Sequence, residues 1–191
     1  MLLDAYYKDD VGILKELKVA ERKRGSKIAC CKGCHYCCLK MEVPISQIEI
    51  MGLSWYSSEK VIGTVREKLK EQLLNYKKNL HCPFLIDKIC VVYPVRPLIC
   101  REFFVFDSPC KPNEDVLKTR PSDIWSPSRK VCKSAAFKIL PFYGITDEKE
   151  KLIAYESGFI SQNSRPMHTC DWTLVYDTMI KFDPIVESLP T

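Results

Sequence analysis

The sequence predicts a small, mainly helical fold, either α or α+β, whose irregular cysteine-rich loops wrap around a metal or iron–sulfur site. Apolar residues recur at helical spacing in several stretches, prolines interrupt that pattern between residues 81 and 110, and eleven cysteines are present. A chain of 191 residues with 46% apolar and 28% charged residues is long enough to bury its own core. We therefore expect one domain over residues 1–191.

The first predicted helix covers residues 4–24, and Gly25 is a typical residue to end it. Its apolar stripe consists of Ile13, Leu14, Leu17 and Ala20. A basic run follows at 21–27, with Lys32 and Lys40 beyond it. This run favours a solvent-exposed helix end, where cations are stabilised. The alternative is a contact with an anion or a partner protein beside the cysteines.

Two capped helices are predicted next. Ser46, with Glu49 three residues later, forms a capping-box pattern at the start of a helix over 47–56. A second helix over 58–79 follows a pair of candidate capping serines, and Arg66 belongs to its outward-facing side. The serines are Ser57 and Ser58, and the apolar stripe is Val61, Ile62, Val65, Leu69, Gln72, Leu73 and Tyr76.

The remainder of the chain alternates irregular and helical segments. Prolines forbid a long helix over 81–110, where short apolar runs predict brief strands or turns. The polar segment 111–130 predicts a surface loop. Thr146 is a candidate cap for a helix over 147–158, and a last helix is expected over 171–182. The face of that last helix contains Trp172, Val175, Tyr176 and Met179.

The cysteine run carries the most information about function. Cys31, Cys34, Cys37 and Cys38 form a C-x-x-C-x-x-C-C sequence, and thiolate sulfur is a soft ligand for zinc, copper(I) or iron–sulfur clusters. The C-x2-C-x2-C spacing is typical of a loop that directs three sulfurs to one cluster, with a further thiolate from a Cys-Pro step. Cys82 precedes such a proline. The pattern predicts metal or cluster binding.

More sulfurs are available than one site needs. The candidate ligands are Cys31, Cys34, Cys37, Cys38, Cys82, Cys90 and Cys100, and Cys110, Cys132 or Cys170 could supply an eighth. A four-ligand site favours Cys31, Cys34, Cys37 and Cys82 as the first set. Adjacent Cys37 and Cys38 point in different directions, so one site and two sites both remain open. Cys30 is the preferred non-ligand.

Iron–sulfur chemistry is favoured over zinc, because a zinc ribbon usually pairs two separated C-x2-C knuckles and only one compact group is present. The odd cysteine count and the vicinal pairs argue against a disulfide framework. No leader or membrane-spanning run is visible, so we expect a reducing, cytoplasmic location. His35, inside the cysteine loop, is interpreted as a loop residue, with ligation as the alternative.

Several motifs together resemble the CxxCxxCC, or YkgJ-type, family. They are CKGCHYCC at 31–38, CPFL at 82–85, Cys90, Tyr93, Arg96-Pro97, Cys100-Arg101 and Phe103. The resemblance covers about 30–104, with a helical extension over 1–25 and another extension over 111–191. It implies a zinc- or iron-chelating protein. A more distant similarity to flagellin lysine N-methylase implies a [4Fe–4S] cluster and, for an enzyme, S-adenosylmethionine.

Tyr93, Arg96 and Arg101 lie between the distal cysteines and are candidate cofactor-binding residues. The arginines could pair with carboxylates in a tight turn, or they could stabilise a negatively charged cluster from nearby. Arg101 could alternatively clamp a carboxylate of a substrate or of S-adenosylmethionine. Sequence reasoning leaves these roles open.

Three classes of function follow. The protein could carry a cluster in electron transfer, metal handling or sensing; it could be a cluster-dependent, protein-modifying methyltransferase; or a structural zinc could support an interaction surface. A net charge of +5 is too mild to indicate nucleic acid, so a protein partner or substrate is expected, with the oligomeric state open. The chain lacks G-x-G-x-x-G, P-loop, G-x-S-x-G and C-x3-C-x2-C motifs, which disfavours nicotinamide, kinase, hydrolase and radical enzymes.

Overall fold

The computed structural model describes residues 1–40, 42–77 and 81–187. Helices dominate this part of the chain, which confirms the mainly helical part of the predicted fold class. The α-helices are α1 (Leu2–Arg24), α2 (Cys37–Lys40), α3 (Gln47–Glu59), α4 (Gly63–Leu74), α5 (Leu98–Arg101), α6 (Val116–Thr119), α7 (Arg129–Ile139), α8 (Glu148–Glu156), α9 (Phe159–Gln162) and α10 (Thr173–Glu187).

Six two-residue strands form three antiparallel pairs within the described residues. They are β1 (Pro44–Ile45) with β6 (Arg165–Pro166), β2 (Leu85–Ile86) with β3 (Ile89–Cys90), and β4 (Phe104–Val105) with β5 (Ile124–Trp125). These short pairs confirm the prediction of brief strands between residues 81 and 110. They tie the irregular segments to one another where no long element is available.

The first helix, α1, ends as predicted. Gly25 adopts a left-handed conformation with φ of 73°, and its N–H donates to the carbonyl of Glu21 at 2.9 Å. The predicted stripe is partly wrong, because Leu14 is exposed while Ile13 and Leu17 are buried. The buried face of α1 packs along α7 so closely that a Cβ added at Gly12 would lie 2.6 Å from Val131.

The predicted capping box is present at the start of α3: Glu49 accepts the N–H of Ser46 at 2.8 Å. The helix continues to Glu59, so the predicted caps Ser57 and Ser58 lie in its last turn and the prediction of a helix start there is wrong. The next helix, α4, begins only at Gly63 and ends at Leu74. Residues 78–79 of the predicted helix lie outside the described residues.

Arg66 explains why the break between α3 and α4 lies at residues 60–62. Its side chain is buried, not outward-facing as predicted, and it donates to the carbonyls of Ser58 at 2.8 Å and Val61 at 3.0 Å. It also donates to Met179 of α10 at 2.6 Å and pairs with Asp183 at 2.7 Å. One guanidinium thus satisfies carbonyls at the end of α3 and joins α4 to α10.

The two helices predicted near the C-terminus are present, but their boundaries differ from the prediction. Asp147, not Thr146, caps α8, because its carboxylate accepts the N–H groups of Lys149 and Glu150. Helix α10 extends five residues beyond the predicted end at 182. The predicted loop 111–130 contains α6, β5 and the first two residues of α7.

The main hydrophobic core lies between α3, α4, α10 and the loops after residue 82. Its fully buried members include Leu53, Leu69, Phe84, Trp172 and Met179. The partly buried side chains of Cys82, Cys90 and Cys100 pack against this core. The described helices include none that is both long and apolar enough to cross a membrane.

Candidate metal centre

Five thiols from four separate segments come together beside the main core. We call Cys37, Cys38, Cys82, Cys90 and Cys100 the core-side thiol group. The N–H of Cys82 donates to the carbonyl of Cys38 at 2.7 Å, which holds the CPFL segment against α2. Cys37 donates to the sulfur of Cys38, Cys38 donates to that of Cys82, and Cys82 lies 3.8 Å from the sulfur of Met167. Cys37, Cys38 and Cys82 therefore form a continuous chain of contacts.

Cys90 and Cys100 complete this group from two further elements. Antiparallel pairing of Leu85 with Cys90 fixes the β2–β3 turn, and Cys100 lies on the short helix α5. Burial is the largest cause that raises the pKa of the Cys100 thiol, followed by the nearby thiols of Cys38, Cys37 and Cys90. Burial also raises the pKa of Cys90, whereas an N–H donated by Val92 lowers it.

Burial and contacts among the thiols raise the pKa values of Cys37, Cys38, Cys90 and Cys100. The hydrogen bond that Cys38 accepts from Cys37 lowers the pKa of Cys38. The bond that Cys38 donates to Cys82 and burial raise this pKa, and the result is a pKa of about 12. The pKa of Cys37 is raised mainly by the hydrogen bond that it donates to Cys38 and, after that, by burial of its thiol, although the residue as a whole is exposed. A metal would have to displace these protons, because the thiolate is the ligand.

A second set of thiols lies on the loop side of Cys37. We call Cys30, Cys31, Cys34 and Cys110 the loop-side thiol group. The Cys34 N–H donates to the Cys31 carbonyl at 3.0 Å in a turn where Gly33 has φ of 87°, a left-handed conformation that glycine tolerates. The thiol of Cys30 accepts the N–H of Val105 at 3.4 Å. Electrostatic interactions connect the Cys30, Cys34 and Cys110 thiols with one another and with Cys37.

The structure therefore divides the cysteines differently from their spacing in sequence. The first predicted ligand set contains members of both groups: Cys31 and Cys34 on the loop side, Cys37 and Cys82 on the core side. Cys30, the preferred non-ligand, lies with the loop-side thiols. Pairing of Ile28 with Phe106 brings Cys30 near the segment that carries Cys110, and this long-range contact has no signal in the sequence.

The donor set suits zinc or an iron–sulfur cluster because it consists of thiols, and because backbone N–H groups point at several of the sulfurs. Such N–H groups stabilise thiolate and orient it, as seen at Cys30, Cys34 and Cys90. Over residues 1–40, 42–77 and 81–187, however, no three Cys, His, Asp or Glu side chains adopt a geometry that would hold a metal ion. Ligand side chains would have to turn toward a metal that binds.

Arg96 and Arg101 lie close enough to the core-side thiol group to lower the pKa of Cys90. Arg101 is buried and pairs with both carboxylate oxygens of Asp10 at 2.9 and 2.7 Å, while Nε donates to the carbonyl of Arg96 at 2.9 Å and Nη2 donates to that of Pro94. Arg96 stacks 3.9 Å above the ring of Tyr93, which is largely exposed. Both arginines thus have partners within the chain and add positive potential near Cys90.

Other candidate groups lie apart or have structural partners. His35 contacts the carbonyl of Gly33 at 3.0 Å and stacks on Tyr36. Glu49 caps α3 and accepts the N–H of Leu98 at 2.8 Å. Arg24 of the basic run pairs with Asp107 and Asp123, which supports a structural role for this arginine. Cys132 lies on α7 and interacts with Glu102 and Asp9. The buried Cys170 packs in the same core as Cys82, and its N–H donates to the carbonyl of Met167, whose sulfur contacts Cys82.

Comparison with known proteins gives one family. The profile of the CxxCxxCC family, a zinc- or iron-chelating domain, matches residues 30–134 and includes both thiol groups. This match extends beyond the predicted limit of 104 and takes in Cys110 and Cys132. Neither a curated protein nor a solved structure matches the chain. Because the match spans more than half of the sequence, the chain belongs to the CxxCxxCC family of zinc- or iron-chelating domains.

Proposed function

We propose that this protein binds an iron–sulfur cluster of the [4Fe–4S] type through its core-side thiol group. The supporting observation is the convergence of thiols from α2, the CPFL segment, the β2–β3 turn and α5. Cys82, Cys90 and Cys100 also pack against the main core, which brings these three segments to one place. Four cysteines satisfy one cluster, and this group offers five.

Iron is preferred to zinc in this proposal because a zinc ribbon usually pairs two C-x2-C knuckles, and the core-side thiol group contains no C-x2-C pair. Zinc remains the second candidate, with a structural role and a surface for a partner protein. The N–H group that Val92 donates to Cys90 suits either metal, because zinc and iron–sulfur clusters both bind thiolate.

A carrier or sensor role fits better than methyl transfer. Arg101 was the candidate clamp for a carboxylate of S-adenosylmethionine, but its guanidinium already contacts Asp10, the Arg96 carbonyl and the ring of Tyr6 at 4.0 Å. Its position near Cys90 instead supports stabilisation of a negatively charged cluster, which raises the reduction potential. The cluster would then exchange electrons or report on the redox state of the cell.

The test is metal analysis after anaerobic purification. We expect iron and sulfide, with a broad absorption near about 400 nm that dithionite bleaches. A protein that carries zinc without iron under these conditions would contradict the cluster and favour the structural-zinc alternative. Cys132→Ser is a suitable control, because Cys132 lies on α7, outside both thiol groups, and should leave the metal content unchanged.

A further inference from the structure

A groove of about 340 Å³ lies between the end of α3, the start of α4 and the β2–β3 turn. Three of its apolar side chains are well exposed: Ile62 is 58% exposed, Val65 41% and Ile89 62%. Exposed apolar side chains that lie together usually mark a surface that another molecule covers. The helical framework and the family assignment give this groove no role.

The groove adjoins the core-side thiol group. Cys90 lines it, and the antiparallel pairing of Cys90 with Leu85 fixes this residue at the edge of the groove. A molecule that covers the groove would therefore lie beside a thiol of the proposed cluster site. Electron transfer between two proteins requires such closeness, because its rate falls steeply with the distance between the two redox centres.

Basic side chains surround the groove. Lys60 lines it, and the exposed Lys88 lies in the β2–β3 turn. Arg96 lies close enough to Cys90 to interact with it electrostatically. In the described part of the chain none of these three cations forms an ion pair, so their charges are available to another molecule.

The acidic side chains nearby do not cancel this positive rim. Asp87, which lines the groove, pairs with Lys68 of α4 at 2.5 Å. Glu59, at the end of α3, lines a different depression between α3 and α10. The groove thus combines an apolar centre with a positive rim. A second copy of the chain is disfavoured as its occupant, because like charges would meet across the interface.

We propose that this groove docks an acidic one-electron carrier protein, which presents an apolar contact surrounded by carboxylates. The inference rests on the proposed cluster and names the class of its partner. One electron would leave the reduced carrier and convert the cluster from [4Fe–4S]2+ to [4Fe–4S]+, and the reverse transfer would reoxidise it. Interfaces between redox proteins are small and transient, and complementary charge steers the encounter.

The test uses the full-length, anaerobically purified protein and two acidic carriers as probes, a plant-type [2Fe–2S] ferredoxin and a flavodoxin. Carbodiimide joins a lysine amine directly to a carboxylate that it touches. We expect cross-links from Lys60 and Lys88 to at least one acidic carrier, which about 0.5 M salt suppresses, and none at this groove with the basic carrier cytochrome c. On anaerobic mixing, the reduced acidic carrier should be oxidised while the cluster absorption near about 400 nm decreases.

Variants connect the docking to the groove. Lys60→Glu combined with Lys88→Glu should weaken binding, measured by calorimetric titration, by about tenfold or more. The matched control is Lys130→Glu combined with Lys149→Glu, which makes the same change of charge at exposed lysines of α7 and α8 and should weaken binding by no more than about twofold. Ile89→Ser should weaken binding by about threefold or more and leave its salt dependence unchanged. Circular dichroism and iron content establish that each variant retains its fold and cluster.

Four results would overturn the inference. The first is the absence of a saturable complex between the wild-type protein and either acidic carrier. The second is a complex that the two charge changes in the groove weaken no more than the control changes do. The third is a complex in which no electron passes, which would make the groove a docking face for another class of acidic protein. The fourth is a dimer of the chain that Ile89→Ser disrupts, which would assign the groove to a second copy.

Iron analysis of the same preparation separates this inference from the proposed function. Protein that contains the cluster but docks neither acidic carrier contradicts the inference and leaves the cluster proposal intact. Protein without iron contradicts the cluster proposal and, with it, the electron transfer.

Discussion

The helical framework and the cysteine loops are held together in different ways. Helices α3, α4 and α10 bury large apolar side chains against one another, and Arg66 joins all three. The segments 28–38 and 82–104 instead contain two-residue strands, one-turn helices and thiols that are partly exposed. Burial of apolar area stabilises the framework and also the part of segment 82–104 that buries Phe84, Val92 and Val95, whereas no residue of segment 28–38 is buried. We therefore expect the cysteine-bearing turns to depend on what their sulfurs bind.

The largest expected effect is the response of these two regions to metal removal. Chelation should abolish amide-exchange protection around residues 28–38 and 82–104 and leave α3, α4 and α10 protected, because the binding free energy of a loop-built site is partly folding free energy. Hydrogen exchange followed by mass spectrometry measures this. Equal loss of protection in both regions would show that the framework also depends on the metal.

Arg66→Ala should destabilise the framework by about 3 kcal/mol, which corresponds to a decrease in Tm of roughly 10 °C. The variant leaves Asp183 without its buried partner and several carbonyls without donors. Thermal unfolding measures the effect. The control is Lys68→Ala, since the exposed Lys68–Asp87 pair should contribute less than about 1 kcal/mol. A small effect for both variants would refute the structural role of Arg66.

The pH dependence of stability tests the buried carboxyl on α1. Burial, then the carboxyls of Glu102 and Asp10, raises the pKa of Asp9 to about 8 from an ordinary 3.8. The folded state thus retains a proton that the unfolded state releases. The contribution of this proton to the free energy of unfolding is fully present below about pH 4 and is lost as the pH rises toward 8. Urea unfolding at pH 5 and pH 8.5 should show this decrease in the wild type and a smaller one in Asp9→Asn. The same decrease in stability in both proteins would mean that Asp9 is ionised in the folded protein.

Gly12→Ala should produce the smallest of these effects, a loss of about 1 to 2 kcal/mol. The added methyl would approach Val131 to 2.6 Å where α1 packs on α7. Denaturant unfolding measures the loss, and Gly12→Ala combined with Val131→Ala should recover part of it. A fully stable single variant would mean that α1 and α7 adjust their spacing easily.

Local sequence signals predicted the elements that local interactions define. Gly25 ends α1 and Ser46 with Glu49 caps α3, because these contacts span only a few residues. The break between α3 and α4 is not predicted because Arg66, which donates to the carbonyls at the break, is held by partners more than 100 residues away in α10. Nothing in the periodicity distinguishes this buried arginine from an exposed one.

In the candidate site, too, local sequence signals predicted the residue types, and contacts between distant segments could not be predicted. The cysteine types and their spacing predicted metal binding, which the family assignment supports. The division into two thiol groups depends on pairings such as Cys82 with Cys38 and Ile28 with Phe106, which connect distant segments. Asp9 gave no signal at all, since an acidic residue in an amphipathic helix is usually exposed.

The most direct test of the account is the iron content of cysteine-to-serine variants that separate the two thiol groups. After anaerobic purification, Cys82→Ser and Cys100→Ser should lose most of the iron and the absorption near about 400 nm, because each removes a core-side thiol. Cys30→Ser and Cys110→Ser should retain at least one cluster, and Cys132→Ser should match the wild type. Full iron content in both core-side variants would contradict the assignment of the cluster to this group.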